Sequence, residues 1–137
     1  MIQEDKELVL KDLCARLPYK VVIDYGYNAF DVHNGNYVKQ GSKCILTCYL
    51  LDVFMSPRQD EKGEYIKPYL RPLSSMTEEE LWEFRHFSDH IRDTECKIHI
   101  ANYKQIDWLN AHHFDYHGLI PMGLAIEVTE ENNPYKE

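Results

Sequence analysis

Residues 66–80, Ile-Lys-Pro-Tyr-Leu-Arg-Pro-Leu-Ser-Ser-Met-Thr-Glu-Glu-Glu, decide the fold class, because the signals of a strand end here and those of a helix begin. Pro68 and Pro72 lack the backbone N–H that a strand contributes to a sheet, so we expect sheet pairing to stop there. Thr77 stands three residues before Glu80, which is the spacing of a capping box at a helix start. The segment therefore predicts strands before it and helices after it, as in an α+β domain.

The residues before this segment predict one helix followed by extended chain. Apolar residues recur at three- and four-residue spacing over residues 3–17, which indicates an amphipathic helix that Pro18 ends. Strands are predicted at residues 19–24, 29–33, 43–55 and 64–67, with a tight turn at Asn34-Gly35 and a break at Gly41-Ser42. The clearest strand is 43–55, because β-branched and aromatic residues are frequent there without helical spacing. Together these pieces predict a small antiparallel sheet or half-barrel.

The residues after this segment predict two to three helices. The first covers residues 78–92, with Leu81 and Phe84 on its inner side. A second covers residues 104–112, after a short extended stretch at 97–100. Residues 115–123 are expected to form a last helical turn that Gly123 ends in a left-handed conformation, and 124–128 an edge strand.

A chain of 137 residues with 44% apolar and 28% charged residues has the composition of one ordinary globular domain. We expect that domain to span residues 1–128 and to be followed by an acidic flexible tail at 129–137, which is polar and lacks periodicity. Apolar runs are too short to span a bilayer, and the first residues lack a secretion signal. The four cysteines are expected to stay reduced, which favours a cytoplasmic location without a membrane partner.

The net charge of -8 is distributed unevenly along the chain. Residues 1–76 hold ten Lys and Arg against ten Asp and Glu, whereas residues 77–137 hold five against thirteen. An acidic surface repels phosphate, so duplex nucleic acid is an unfavourable partner. The same surface attracts a positively charged protein, and its simplest alternative role is that of a solvated helix face.

Three blocks of the chain carry a resemblance: Leu-Cys-Ala-Arg-Leu-Pro-Tyr at 13–19, the segment 66–80, and Trp-Leu-Asn at 108–110 with His-Phe-Asp-Tyr at 113–116. They resemble the signature blocks of an uncharacterised family of small proteins from anaerobic gut bacteria and their phages. That family has Arg where this chain has His117 and Glu where it has Pro121, which argues against an essential ligand role for His117. The resemblance implies an accessory protein of a mobile element that binds a host or phage partner, and it implies no activity.

Trp82 is the main candidate for a partner-binding residue. On a helical wheel it lies away from the inner stripe and close to His86, Asp89 and Asp93, so we expect a large ring on an acidic surface. Exposed tryptophans often dominate the binding energy of protein interfaces. The alternative is that Trp82 packs beneath the sheet or against residues 112–120. The sequence thus favours a non-enzymatic protein that binds a macromolecule, most simply another protein, through its acidic helical half.

A nucleotide or single-stranded nucleic acid is the alternative partner. In an extended run Tyr65, Lys67, Tyr69 and Arg71 alternate onto one face, where aromatic rings between cations would stack with bases and pair with phosphates. The same alternation is common on half-exposed strands that bind nothing, so both interpretations stay open at this point.

A metal site is a further alternative, because the chain has seven histidines. The candidate ligands are His86 and His90, one helical turn apart, and the looser group His112, His113 and His117. The spacing lacks the His-Glu-x-x-His order of zinc hydrolases. For nucleophilic catalysis, the chain has neither a Gly-x-Ser-x-Gly elbow nor a glycine-rich phosphate loop. Asp115 is placed either to orient one of these imidazoles or to cap a helix. No cofactor is indicated, and enzymatic activity is left undecided.

Overall fold

The α+β fold class is confirmed by a computed structural model that describes residues 3–55, 65–86 and 103–135, with only the backbone described at 27–30 and 37–40. Helices and strands occur in the order α1 Gln3–Arg16, β1 Val22–Asp31, β2 Asn36–Ile45, α2 Cys48–Met55, β3 Tyr65–Pro72, α3 Glu78–His86, α4 Tyr103–Ala111, β4 Phe114–Asp115 and β5 Ile126–Glu127. Short 3-10 turns lie at Leu17–Tyr19 and Leu73–Ser75.

The sheet is mixed, so the predicted antiparallel sheet is only partly right. β1 pairs antiparallel with β2 along its full length and with β3 over four residues, from Ile23–Pro68 to Gly26–Tyr65. β4 and β5 each add a two-residue parallel pairing to β3. Parallel neighbours require a long crossover connection, and here α3 and α4 lie between β3 and β4 along the chain.

The core lies between α1, α2 and one face of the sheet. Val9 and Leu13 of α1 are fully buried, and so are Ile23 of β1 and Ile66 and Leu70 of β3. A second, smaller apolar cluster is formed by Trp108, Leu109 and Phe114, with Phe84 of α3 packed against it. This second cluster fixes α3 and α4 relative to the end of β3.

The prediction of a strand at 43–55 was wrong beyond Ile45. The segment turns at Leu46, and α2 begins after Thr47, whose hydroxyl accepts a hydrogen bond from the Leu50 N–H at 3.3 Å. Leu51 and Phe54, three residues apart, are buried on the same side of α2. Their burial against α1 outweighs the strand preference of the individual residues, which is weak wherever packing opposes it.

The expected break at Gly41-Ser42 was wrong, and the expectation for the two prolines was partly right, because the pairing with β1 ends at Pro68 and β3 itself ends at Pro72. Gly41 continues β2 and pairs with Gly26 of β1. A side chain at Gly26 would overlap the ring of Tyr65 on the neighbouring strand. Pro68 and Pro72 both lie within β3. Proline is tolerated there because the hydrogen bonds to the parallel neighbours are made by other residues of β3. The Arg71 N–H donates to the His113 carbonyl, and the Leu70 carbonyl accepts from the Val128 N–H.

The C-terminal predictions had mixed outcomes. The helix at 104–112 is confirmed as α4, and that at 78–92 is confirmed as far as His86, while residues 87–102 with the expected strand at 97–100 lie outside the described residues. Residues 115–123 form turns instead of a helix, because the Asp115 carboxylate accepts the N–H groups of Leu119 and Ile120, both at 2.9 Å. Gly123 has the predicted left-handed conformation, with φ of +74°.

The segment expected to be a flexible tail makes specific contacts up to residue 135. Thr129 and Asn132 close a turn in which the Thr129 N–H donates to the Asn132 side chain at 2.6 Å. Tyr135 then reaches back to the sheet, where its hydroxyl binds backbone groups of Val22 and Tyr69. Polar composition alone did not reveal this contact, because one aromatic residue makes it.

Candidate functional site

A capping box fixes the start of α3 and connects it to the sheet. Glu80 N–H donates to the Thr77 hydroxyl at 3.1 Å, and Thr77 N–H donates to the Glu80 carboxylate at 3.0 Å, as the sequence predicts. Arg71 of β3 adds two parallel hydrogen bonds to the same carboxylate, each 2.7 Å long. These bonds lower the pKa of Glu80 to about 2, with the bond to Arg71 as the largest cause. Glu80 therefore remains charged and holds α3 against β3 at physiological pH.

Trp108 of α4 fixes the inner side of α3. Its ring is buried and stacks on Phe114 with centroids 5.6 Å apart. Its Nε1–H donates to a carboxylate oxygen of Glu83 at 3.2 Å. Gln105 of α4 adds a hydrogen bond to the Phe84 carbonyl at 3.1 Å. The backbone of α3 is thus held from two directions, which leaves its opposite side as a rigid surface.

The opposite side of α3 carries Trp82, which is 68% exposed. The indole stacks on the imidazole of His86, with ring centroids 5.1 Å apart and planes 16° from parallel. Two surface depressions of about 380 and 400 Å³ lie beside the ring and are lined by Glu78, Glu79, Leu81, Trp82, Glu83, Arg85 and His86. We call these seven residues the Trp82 surface. Of the four predicted partner-binding residues, the structure places Trp82 and His86 together, while Asp89 and Asp93 lie outside the described residues.

The four residues of the alternative nucleic-acid face do not form one open surface. Tyr69 is buried beneath the Lys43 ammonium, which lies 5.2 Å from the ring centroid. Arg71 is committed to Glu80. Tyr65 and Lys67 remain half-buried neighbours, and the Tyr65 hydroxyl donates to Asp24 at 3.1 Å. Two of the four side chains are therefore used inside the fold.

The histidines proposed as metal ligands are separated by their contacts. His112 Nδ1 lies 2.9 Å from the Trp108 carbonyl, while the His113 ring stacks on Tyr135 with centroids 3.7 Å apart. His117 Nδ1 lies 2.7 Å from Asp12. His90 is outside the described residues. Across residues 3–55, 65–86 and 103–135, no three His, Cys, Asp or Glu side chains converge as a metal site would require.

A buried polar centre, which we define as Asp12, Arg16, His113 and His117, was not found by sequence reasoning. Asp12 and Arg16 are fully buried one turn apart on α1, with Arg16 Nε donating to Asp12 at 2.7 Å. The other Asp12 oxygen contacts His117, so the carboxylate partner of that imidazole is Asp12 and not Asp115. The signal that could have found this pair is its position, because Asp12 and Arg16 continue the three- and four-residue spacing of the buried Val9 and Leu13.

Arg16 connects this centre to the β4 segment. Its Nη2 donates to the Phe114 carbonyl, and its guanidinium carbon lies 5.1 Å from the centroid of the Tyr116 ring. Two polar atoms of the centre, Arg16 Nη1 and His113 Nδ1, are buried and have no hydrogen-bond partner among the described residues. Burial is the largest cause that lowers the pKa of His113 to about 4, followed by the charge of Arg16. The imidazole is therefore neutral at physiological pH.

Comparison with known proteins adds no family to this description. No protein-family model matches the chain, and neither the curated proteins nor the solved structures searched include a significant match. Within the described residues, no helix is both long enough and apolar enough to cross a membrane.

Proposed function

We propose that this chain is a protein-binding module that engages a protein partner through the Trp82 surface. The observation that carries the proposal is the exposed indole on a helix whose other side is fixed by Glu80–Arg71 and Glu83–Trp108 contacts. A fixed backbone lowers the ordering cost of binding, and a tryptophan at the centre of an interface commonly contributes most of the affinity.

The charges around Trp82 favour a partner that presents Lys or Arg next to an apolar group. Glu78 and Glu79 are exposed on the same helix and line the depressions beside the indole, and Glu83 lines one of them while it also accepts the hydrogen bond from Trp108. A cation placed over the ring would interact with its π face and with these carboxylates together. Such binding is expected to weaken as salt is raised, since exposed charges are screened.

The resemblance in the sequence extends this proposal to the biological setting. We propose that the partner is a host or phage protein and that the chain acts as an accessory protein of a mobile element. The proposal has no catalytic step.

The experiment compares wild type, Trp82→Ala and Tyr49→Ala in an affinity capture from host and phage extracts, followed by calorimetry with the purified partner. Tyr49 is the matched control, because it is a similarly exposed aromatic residue on α2. Covering the exposed two thirds of the indole removes roughly 140 Å² from water, about 3 kcal/mol of favourable transfer. We expect Trp82→Ala to weaken binding at least about 30-fold, equivalent to about 2 kcal/mol, and Tyr49→Ala to leave it unchanged.

The opposite pattern would overturn the proposal. If the captured partners and their dissociation constants are the same for wild type and Trp82→Ala, the Trp82 surface is not the interface. If the chain instead binds a single-stranded oligonucleotide, and Lys67→Ala removes a steep salt dependence of that binding, the nucleic-acid function replaces the protein-binding function.

A further inference from the structure

The buried polar centre contains a charged donor without an acceptor. Arg16 is fully buried, its Nε and Nη2 are bound by Asp12 and Phe114, and its Nη1 has no acceptor among the described residues. A buried donor of a charged group that lacks a partner is more unfavourable than an unsatisfied neutral polar atom, because charged groups form stronger hydrogen bonds. An acceptor at this position would remove that cost.

Two guanidinium groups act on His113, although the whole chain has a net charge of -8. Besides burial, the groups that act on His113 are Arg16, His112 and Arg71, and all three lower its pKa. Arg16 and Arg71 both contact the adjacent Phe114, since Arg16 donates to its carbonyl and the Arg71 guanidinium carbon lies 4.2 Å from its ring centroid. A negative group placed here would be attracted by both guanidinium groups.

The single carboxylate of the centre already has a partner for each of its oxygens. Asp12 shares its two oxygens between Arg16 and His117, both at 2.7 Å. Arg71 has its own carboxylate in Glu80. Both oxygens of Asp12 are therefore in use, and neither is hydrogen-bonded to Arg16 Nη1 or to His113 Nδ1.

We propose that the polar centre binds one small oxyanion, of the phosphate or carboxylate class, through the guanidinium of Arg16 and the imidazole of His113. A guanidinium is suited to oxyanions because its N–H groups match their spacing. An oxyanion next to His113 would also accept a hydrogen bond from that ring once it is protonated. This proposal is independent of the Trp82 surface, which lies on the outer side of α3.

Two side chains define how the site opens. The His117 side chain is 18% exposed, so one side of the centre reaches the protein surface. Tyr135 covers the His113 ring, because the two rings are stacked with centroids 3.7 Å apart and an angle of 7° between their planes. Weakening the attachment of Tyr135 should therefore speed the exchange of the anion.

The test is a titration of the isotopically labelled full chain with inorganic phosphate and, separately, with sodium acetate, at constant ionic strength and followed by NMR. We expect saturation at one site, selective shifts of the His113 ring and the Arg16 side chain, and a rise in the pKa of His113 from about 4 toward its ordinary value. Saturation by phosphate alone assigns the phosphate class, and saturation by acetate alone assigns the carboxylate class.

Matched variants distinguish a built site from incidental binding. Arg16→Lys keeps the charge but removes Nη1, and we expect at least about tenfold weaker binding, from the loss of one charge-assisted hydrogen bond. His113→Gln is the second variant, which decides the matter if Arg16→Lys does not fold, and it should weaken binding as well. His33→Gln, at the exposed hairpin turn, should leave binding unchanged.

Three results would overturn the proposal. The first is no saturable binding of either anion, in which case the unpartnered atoms are satisfied by water alone. The second is binding that Arg16→Lys and His113→Gln leave unchanged, which is the behaviour of an adventitious ion only. The third is a set of shifts spread over exposed lysines without a change in the pKa of His113.

Discussion

Replacing Tyr135 with Phe tests whether a hydroxyl near the end of the chain replaces a missing contact in the sheet. β1 and β3 pair from Gly26–Tyr65 to Ile23–Pro68, and the next two residues would be Val22 and Tyr69. Instead, the Val22 N–H donates to the Tyr135 hydroxyl at 2.9 Å, and that hydroxyl donates to the Tyr69 carbonyl at 2.8 Å. The phenol thus bridges the two strands where they separate.

The expected loss of stability follows from these two bonds. Tyr135→Phe keeps the ring stacked on His113 but leaves the Val22 N–H and the Tyr69 carbonyl without this partner. A hydrogen bond contributes about 1 kcal/mol net, and an unsatisfied buried group costs about 1–3 kcal/mol. We therefore expect the free energy of unfolding to fall by about 2–4 kcal/mol, a large part of the 5–15 kcal/mol that is typical of a domain. Burial raises the pKa of the Tyr135 phenol, so the hydroxyl stays protonated at neutral pH.

The assay is urea unfolding followed by circular dichroism and tryptophan fluorescence, with amide hydrogen exchange at Val22 as a local measurement. Tyr103→Phe is the matched control because Tyr103 is 73% exposed on α4, and we expect a change within about 0.5 kcal/mol. The reasoning is refuted if Tyr135→Phe is as stable as the control and the Val22 amide remains protected. The contact of Tyr135 with the sheet would then contribute nothing measurable.

The buried ion pair and two perturbed side chains carry the remaining predictions. Asp12→Asn should lower the free energy of unfolding by about 3–5 kcal/mol, because it leaves the Arg16 charge buried without its carboxylate. His113 has a pKa of about 4 in the fold against 6.5 when exposed, so the unfolded chain binds more protons between these values, and stability should fall by about 2 kcal/mol as pH is lowered from 6.5 to 4. Glu80 has a pKa of about 2 in the fold against an ordinary value of 4.5, so the stability that its charge contributes is complete above pH 4.5 and is lost as the pH falls toward 2. Because Glu80 and Arg71 are partly exposed, we expect this loss to be about 1–2 kcal/mol.

Chemical denaturation over a pH series checks all three. Glu7→Gln is the control for Asp12→Asn, since Glu7 is exposed and makes a single bond to Gln3 on the same helix. An Asp12→Asn protein as stable as Glu7→Gln would show that the buried pair is not required. If His113→Gln and Glu80→Gln lose as much stability as wild type when the pH is lowered through their respective ranges, other groups cause that loss.

Local signals in the sequence were sufficient for the elements whose stability depends on nearby residues. The apolar spacing predicts α1 over residues 3–17 with an end before Pro18, and in the structure the helix ends at Arg16. The Asn34-Gly35 pair predicts the hairpin turn, where Gly35 has φ of +67°. Thr77 and Glu80 predict the start of α3. These signals work because a cap, a turn or a helical face is decided by residues within one or two helical turns of each other.

Only the tertiary structure decided the contacts between distant parts of the chain. The pairing of His117 with Asp12 spans 105 residues, and that of Tyr135 with Val22 spans 113. No spacing rule relates such residues, and the contacts of Asp12 and Arg16 with residues 114 and 117 exist only in the folded chain. Packing likewise made a helix of 48–55, where burying Leu51 and Phe54 outweighed a preference for extended chain. The physical reason is the distance over which each interaction acts. Caps, turns and helical faces depend on residues that are close in sequence, whereas burial and ion pairing depend on residues that are close in space. Only the folded chain specifies which distant groups meet.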